Sequence, residues 1–232
     1  MKKILLLTVL ASLLFSCSRT ADLKLTGTVK GLKKGTLYLQ RLQDTILVTV
    51  DSLIVDGDPD FEFYADLKEP EVLYLHLDKV DASGYDDRIR FFAEPGEMNI
   101  ITSLKNFESF AAITGSQNQV KMNEFLKMSI KFNSKNLDLL KASFDAQKSG
   151  DQEEIQKYDD SLQILLKSKY RYTGNFAATN KDLAVAPYLV ITEIPDATIP
   201  YLDTLYGRFP KKIKSSKYGR ELQKLIKFRK EN

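Results

Sequence analysis

Leu23-Lys24-Leu25-Thr26-Gly27-Thr28-Val29-Lys30-Gly31-Leu32-Lys33-Lys34-Gly35-Thr36-Leu37-Tyr38-Leu39-Gln40-Arg41 alternates apolar with polar residues on both sides of a glycine-bounded turn. Period two sends successive side chains to opposite faces of a strand, so this stretch reads as a β-hairpin with one face in a core. The pattern continues outward to Thr114. Residues 46–55 are a β-branched run, Asp56-Gly57-Asp58-Pro59-Asp60 breaks it, and Phe61-Glu62-Phe63-Tyr64 resumes. Residues 72–77, 89–93, 98–102 and 107–114 supply further strand candidates. Short strands with regular turns and no intervening helix predict an antiparallel β-sandwich or partly closed barrel.

After Gly115-Ser116 the period changes. Val120, Met122, Phe125, Leu126, Ile130, Leu137, Leu140 and Phe144 fall three and four apart, as on a helix. Gly150 ends that stretch, and Asp151 with Glu154 has capping-box spacing. Ile155, Tyr158, Leu162, Leu165, Leu166 and Tyr170 continue the stripe, which predicts an αα-hairpin. Shorter helices are predicted over 182–193, 200–209 and 216–228, separated by Pro195 and Pro210. The fold class is therefore α+β, a sandwich over 23–115 followed by a helical region over 116–232. With no Pro- or Gly-rich spacer at the joint, the two parts are expected to share an interface.

The N-terminus sets the compartment. Lys2 and Lys3 precede a short apolar stretch that ends in Leu14-Phe15-Ser16-Cys17. That order reads as a secretory signal peptide, and its apolar part is shorter than the ~20 residues of a membrane span. The four residues before and including the thiol resemble a bacterial lipobox, with Phe15 bulkier than the usual second residue. The expected segments are a lipoprotein signal over 1–16, acylation of Cys17, and a lipidated tether over 17–22. Cys17 is the only cysteine, so its acylation removes every thiol from disulfide, nucleophile or soft-metal chemistry. A core must then hold the domain, and 43% hydrophobic residues suffice for one. The expected address is the outer rather than the inner membrane, facing the periplasm, because Ser18 and Arg19 after Cys17 show no acidic run of the kind associated with export to the cell surface.

Beyond the signal there are 32 basic and 31 acidic residues, which gives no electrostatic basis for nucleic-acid binding. Charge is uneven, however. Residues 22–115 carry 10 basic and 17 acidic side chains, and 205–232 carry 10 basic and 2 acidic. The basic tail reads as a solvated helix face turned toward the acidic front half, with an anionic partner as the other reading.

Candidate chemistry is sparse. Carboxylates in Asp56-Gly57-Asp58-Pro59-Asp60-Phe61-Glu62 alternate as calcium ligands do. Counted as an EF-hand loop from Asp56, though, the run places Phe61 and Val72 where a Gly and a bidentate Glu are required, so a hairpin turn is expected instead. His76 is the only histidine and is expected on the solvent side of a strand. Glu94 and Glu97 flank Pro95-Gly96, and Asp86-Asp87 precede Arg88; paired carboxylates do acid–base work when space brings them together. There is no Gly-x-Ser-x-Gly, phosphate-loop or dinucleotide pattern. No catalytic constellation, cofactor or metal is expected.

Several segments together resemble one family. Leu25-Thr26-Gly27-Thr28-Val29-Lys30-Gly31 with Gly35-Thr36-Leu37-Tyr38-Leu39 is similar to its opening hairpin. Val50-Asp51-Ser52-Leu53-Ile54-Val55 and Phe61-Glu62-Phe63 resemble its central hairpin, with Asp60 where a Gly usually precedes the Phe. Phe91-Phe92-Ala93-Glu94-Pro95-Gly96-Glu97-Met98-Asn99-Ile100 and Ile113-Thr114-Gly115-Ser116 resemble its closing strands. The family is the N-terminal domain of unknown function of lipid-anchored, thioredoxin-like (AhpC/TSA, redoxin) thiol–disulfide oxidoreductases of Gram-negative bacteria. Phe176 to Asn180, Ala186-Pro187-Tyr188 and Ser215-Ser216-Lys217-Tyr218-Gly219 resemble the segment those proteins place before their catalytic domain. The resemblance implies an envelope location but no activity, since the Cys-x-x-Cys pair that performs exchange is missing from these 232 residues. The expected function is a non-catalytic binding or scaffold module for an envelope partner. The alternatives are a truncated oxidoreductase without its thioredoxin-like domain, or a carboxylate-based hydrolase of unrecognised type.

Overall fold

The computed structural model describes residues 21–79 and 87–232. Cys17, the signal segment and Asp86 lie outside the described residues. Eight strands form two four-stranded sheets: β1 (Leu23–Lys30), β2 (Lys34–Gln43), β3 (Ile46–Asp56), β4 (Asp60–Ala65), β5 (Glu71–Asp78), β6 (Asp87–Ala93), β7 (Gly96–Ser103) and β8 (Ala112–Thr114). One sheet has the order β4-β1-β7-β8 and the other β3-β2-β5-β6. The α+β class and the sandwich stand as the periodicity implies. One pairing is different: β1 and β7 run parallel, from Leu23 opposite Gly96 to Lys30 opposite Ser103. Alternation fixes which face a strand buries but not the direction of its neighbour, so this pairing had no local signature.

Period two did its predicted work. Leu23, Leu25, Val29, Leu37, Leu39, Phe61, Phe63, Leu73, Leu75, Phe91 and Ile100 all point between the sheets and are at most 4% exposed. At the end of the second sheet the alternation fails, in Glu71-Val72-Leu73 and Phe91-Phe92-Ala93, where every residue is buried. A strand covered on both faces reads as a continuous run. Leu73 and Phe91 face the sandwich core, whereas Val72 and Phe92, paired across β5 and β6, face the helices. The strand expected over 107–114 shortens to β8, because a 3₁₀ turn (Leu104–Asn106) and hydrogen-bonded turns over 107–110 precede it.

Six helices follow: α1 (Gln117–Ser149), α2 (Gln152–Thr179), α3 (Val185–Glu193), α4 (Ile199–Arg208), α5 (Lys211–Lys214) and α6 (Lys217–Glu231). Ser116 caps α1, its hydroxyl accepting from the Gln119 amide at 2.9 Å. Gly150 ends α1 in the left-handed region (φ 75°), which glycine adopts at little cost. Asp151 caps α2 by accepting from the amides of Glu153 and Glu154. α3 is apolar all round because it is enclosed, with Val185 to Val190 all buried. Met122, Phe125, Val185, Tyr188, Leu189 and Tyr218 close over Val72 and Phe92, so sheet, sheet and helices form three layers. A further core of Val190, Ile194, Leu202, Leu205, Phe209, Ile213, Leu222 and Ile226 holds the helices to one another.

Candidate functional site

The residues singled out for chemistry are dispersed. Asp58 accepts from the amide of Asp60 at 3.0 Å and closes the β3–β4 turn. Asp60 instead accepts from the Thr28 hydroxyl at 2.6 Å, and Glu62 pairs with Lys24 at 2.8 Å. These carboxylates therefore serve separate partners and the hairpin. Among the described residues, no three His, Cys, Asp or Glu side chains gather as a metal would require. His76 is half-buried rather than open to solvent, because it stacks on Tyr38 of β2 with ring centroids 5.8 Å apart.

Glu94 and Glu97 part company as well. Glu97 is exposed. Glu94 turns toward the start of α1, where its Oε1 accepts from the Ser116 hydroxyl (2.8 Å), the Asn118 amide (2.6 Å) and the Asn118 side-chain nitrogen (2.7 Å). A carboxylate at a helix N-terminus satisfies orphan N–H groups and complements the helix dipole. Asn118 passes the link on, accepting from the Val185 amide at 2.7 Å. Glu69 plays the same part at α6, accepting from the Lys217 amide at 2.7 Å and pairing with Arg220 at 2.8 Å. Both carboxylates fasten helices to the sandwich.

Part of the basic C-terminal segment is likewise engaged by neighbours in the fold. Lys217 and Arg220 reach acidic residues of the sandwich, Lys230 pairs with Asp203 at 2.8 Å, and Arg229 donates to the carbonyls of Pro195 and Ala197.

Where α6 and α3 meet the outer face of the second sheet lies a cleft of about 610 Å³. The end of β2 supplies Arg41 and Leu42, β5 Val72 and Tyr74, β6 Arg90, α3 Tyr188, Ile191 and Thr192, and α6 Lys217, Tyr218 and Glu221. At its edge Glu71 bridges two cations: Oε1 lies 2.7 Å from Arg41 Nε and Oε2 2.6 Å from Lys217 Nζ. Glu71 is only 8% exposed, and both its oxygens are thereby paired, as a buried charge requires. The Tyr218 hydroxyl accepts from the buried Val72 amide at 2.8 Å. Burial holds the Tyr218 and Tyr188 phenols above their ordinary range, and the nearby Arg90 guanidinium partly offsets this for Tyr188. Burial also raises the Glu221 carboxyl, against the pull of Lys217, Lys224 and Arg220. Arg90 is exposed and, among the described residues, pairs with no carboxylate. The cleft therefore sets the exposed Arg90 guanidinium beside the half-buried Tyr74, with the Asp44 and Glu221 carboxylates also in its lining.

The sequence reading missed Arg41, Glu71, Arg90 and Glu221 as a group. A pointer was Ser215-Ser216-Lys217-Tyr218-Gly219, read for resemblance. In the fold this segment delivers Lys217 and Tyr218 to the cleft.

The architecture defines an α+β module in which a β-sandwich is fastened to a helical body, with a cleft at the seam. Residues 23–122 match the family described as a domain of unknown function, DUF4369. No curated protein matches the chain. Among the described residues no helix is long and apolar enough to cross a membrane.

Proposed function

We propose that the protein is a lipid-anchored binding or scaffold module without chemistry of its own, facing the periplasm from the outer membrane and holding a separate envelope protein. A thiol–disulfide oxidoreductase is the first partner to test, because the resemblance of the chain runs to the domain such enzymes carry. What carries the reading is the seam cleft, where the exposed Arg90 stands beside the half-buried Tyr74. The absence of any thiol other than Cys17 supports a role in holding rather than exchanging disulfides.

Arg90→Glu is the direct test, since Arg90 is exposed and its loss spares the cores. In a pull-down with candidate periplasmic oxidoreductases, the variant is expected to lose the partner that the wild type retains. Retention by both proteins refutes the cleft as the docking face. The anchor is tested separately: Cys17→Ala is expected to leave the membrane fraction or to remain unprocessed. A processed Cys17→Ala protein that stays on the membrane overturns acylation at this residue.

A further inference from the structure

An open strand edge needs a guard, because its unpaired N–H and C=O groups are a template for another strand. Among the described residues, three of the four sheet edges have one. β8 is only three residues long. At β6 the Phe92 amide donates to Gln119 Oε1 of α1 at 2.6 Å. At β4 the Tyr64 amide donates to the Asp51 carboxylate at 3.4 Å. The fourth edge, β3, is guarded over half its length. Asp51 pairs with Leu39 and Thr49 with Gln40, so Val50 is an extra residue that bulges the strand. Asp51 also accepts from the Ser52 amide at 2.9 Å. Residues 46–49 have no such device. Among the described residues their backbone pairs with β2 alone, and the stretch contains no Gly, Pro or charged side chain. Ile46 and Val48 are 69 and 42% exposed.

What covers a bare edge is a strand, and the side chains here decide which strand. Thr45-Ile46-Leu47-Val48-Thr49 reads nearly the same in both directions. Two copies laid antiparallel about Leu47 set Ile46 opposite Val48, Leu47 opposite Leu47 and Thr45 opposite Thr49. Alternation puts Ile46 and Val48 on one face and Leu47 with both threonines on the other, so every pair shares a face. Apolar β-branched pairs and Thr–Thr pairs are favourable cross-strand neighbours, and Asp44 falls opposite Val50 rather than another acid. A register about Val50 would match Ile46 with Ile54 and Leu47 with Leu53. The bulge, however, turns the members of each such pair to opposite faces. A foreign strand would use the same backbone groups, but the self-complementary side chains favour a second copy.

We propose that the first half of β3 is an interface between two copies of this chain. The two β3 strands pair antiparallel about Leu47 and join two four-stranded sheets into one of eight strands. The bulged halves then lie off opposite ends of the shared segment. That segment is short, so the dimer dissociates on dilution. The interface is independent of whatever the seam cleft binds.

Disulfide trapping tests it. In a Cys17→Ala background, purified in detergent, an introduced cysteine is the only thiol. Opposed residues of antiparallel strands have Cα atoms about 4.5–5.5 Å apart, within disulfide reach. Under mild oxidation Leu47→Cys is expected to form a covalent dimer at least about tenfold faster than Ile54→Cys. Exposure alone predicts the reverse, since Ile54 is 78% exposed and Leu47 half-buried. Mixed Ile46→Cys and Val48→Cys proteins are expected to cross-link to each other faster than either does to itself. In sedimentation the wild type is expected to show a monomer–dimer equilibrium, which Ile46→Lys shifts to monomer with unchanged circular dichroism. Val48→Lys is the second variant should Ile46→Lys disturb the hairpin. Leu47→Cys cross-linking no faster than Ile54→Cys overturns the proposal, as does a dimer indifferent to both lysine substitutions. A monomer whose residues 46–48 gain hydrogen-exchange protection only when another protein is added overturns it in favour of a foreign strand.

Discussion

Glu94 joins the sandwich to the longest helix, and removing it should loosen that joint by a calculable amount. Its Oε1 accepts three hydrogen bonds, from Ser116, the Asn118 amide and the Asn118 side chain. In Glu94→Ala the Asn118 amide, in a residue 2% exposed, loses its acceptor, which costs about 1–3 kcal/mol. Loss of a negative charge at the α1 N-terminus adds about 0.3–1 kcal/mol. The Asn118 side chain, freed on one side, also holds Val185 less firmly, so α3 shares the effect. The expected total is about 1–4 kcal/mol. Glu94→Gln keeps an uncharged oxygen at the same place and should cost about 1 kcal/mol. Urea unfolding followed by circular dichroism reads both: the midpoint moves and the slope does not. If Glu94→Ala falls within about 0.5 kcal/mol of wild type, or Gln proves as damaging as Ala, the three-bond clasp is not what holds α1 to the sandwich.

Tyr218→Phe strips the Val72 amide of its buried acceptor, at an expected cost of about 1–3 kcal/mol and with faster hydrogen exchange at that amide. Unchanged exchange at Val72 would rule the bond out. Burial raises the Glu221 carboxyl in the folded state, so ionised Glu221 weakens the fold at neutral pH, and the penalty fades as pH falls through the raised value. Glu221→Gln should therefore raise the melting temperature near pH 7 and leave it unchanged below about pH 4, where both states are protonated. A lower melting temperature near neutral pH contradicts this.

The strands were legible because each buries one face, and the helices because their apolar residues recur at three and four. What escaped the sequence was anything set by a distant partner. Phe107 looked like strand, yet its backbone carbonyl accepts the Thr102 hydroxyl at 2.6 Å and the chain bends there. The run Phe91-Phe92-Ala93 carried a readable sign of burial on both faces, but not of which element covers the outer one. Glu94 invited a catalytic reading because carboxylates near a turn are ambiguous until the helix they face is known. Glu71 and Arg41 sit thirty positions apart on β5 and β2, and Lys217 comes from α6, so only the assembled layers bring them to one cleft.

β1 lies in the middle of its sheet, between β4 and the parallel β7. The first strand of the domain to leave the ribosome must therefore wait for residues 96–103 before its second edge is covered. Until then the backbone N–H and C=O groups along one side of β1 stay unpaired, an edge that invites pairing with the wrong chain. The final fit is also unforgiving: a Cβ on Gly27 would lie 2.1 Å from the Ile100 carbonyl oxygen and 2.5 Å from the Phe61 ring. A side chain there would strike the slow, long-range closing step of assembly, so Gly27 variants should betray themselves first as protein lost to aggregation during folding.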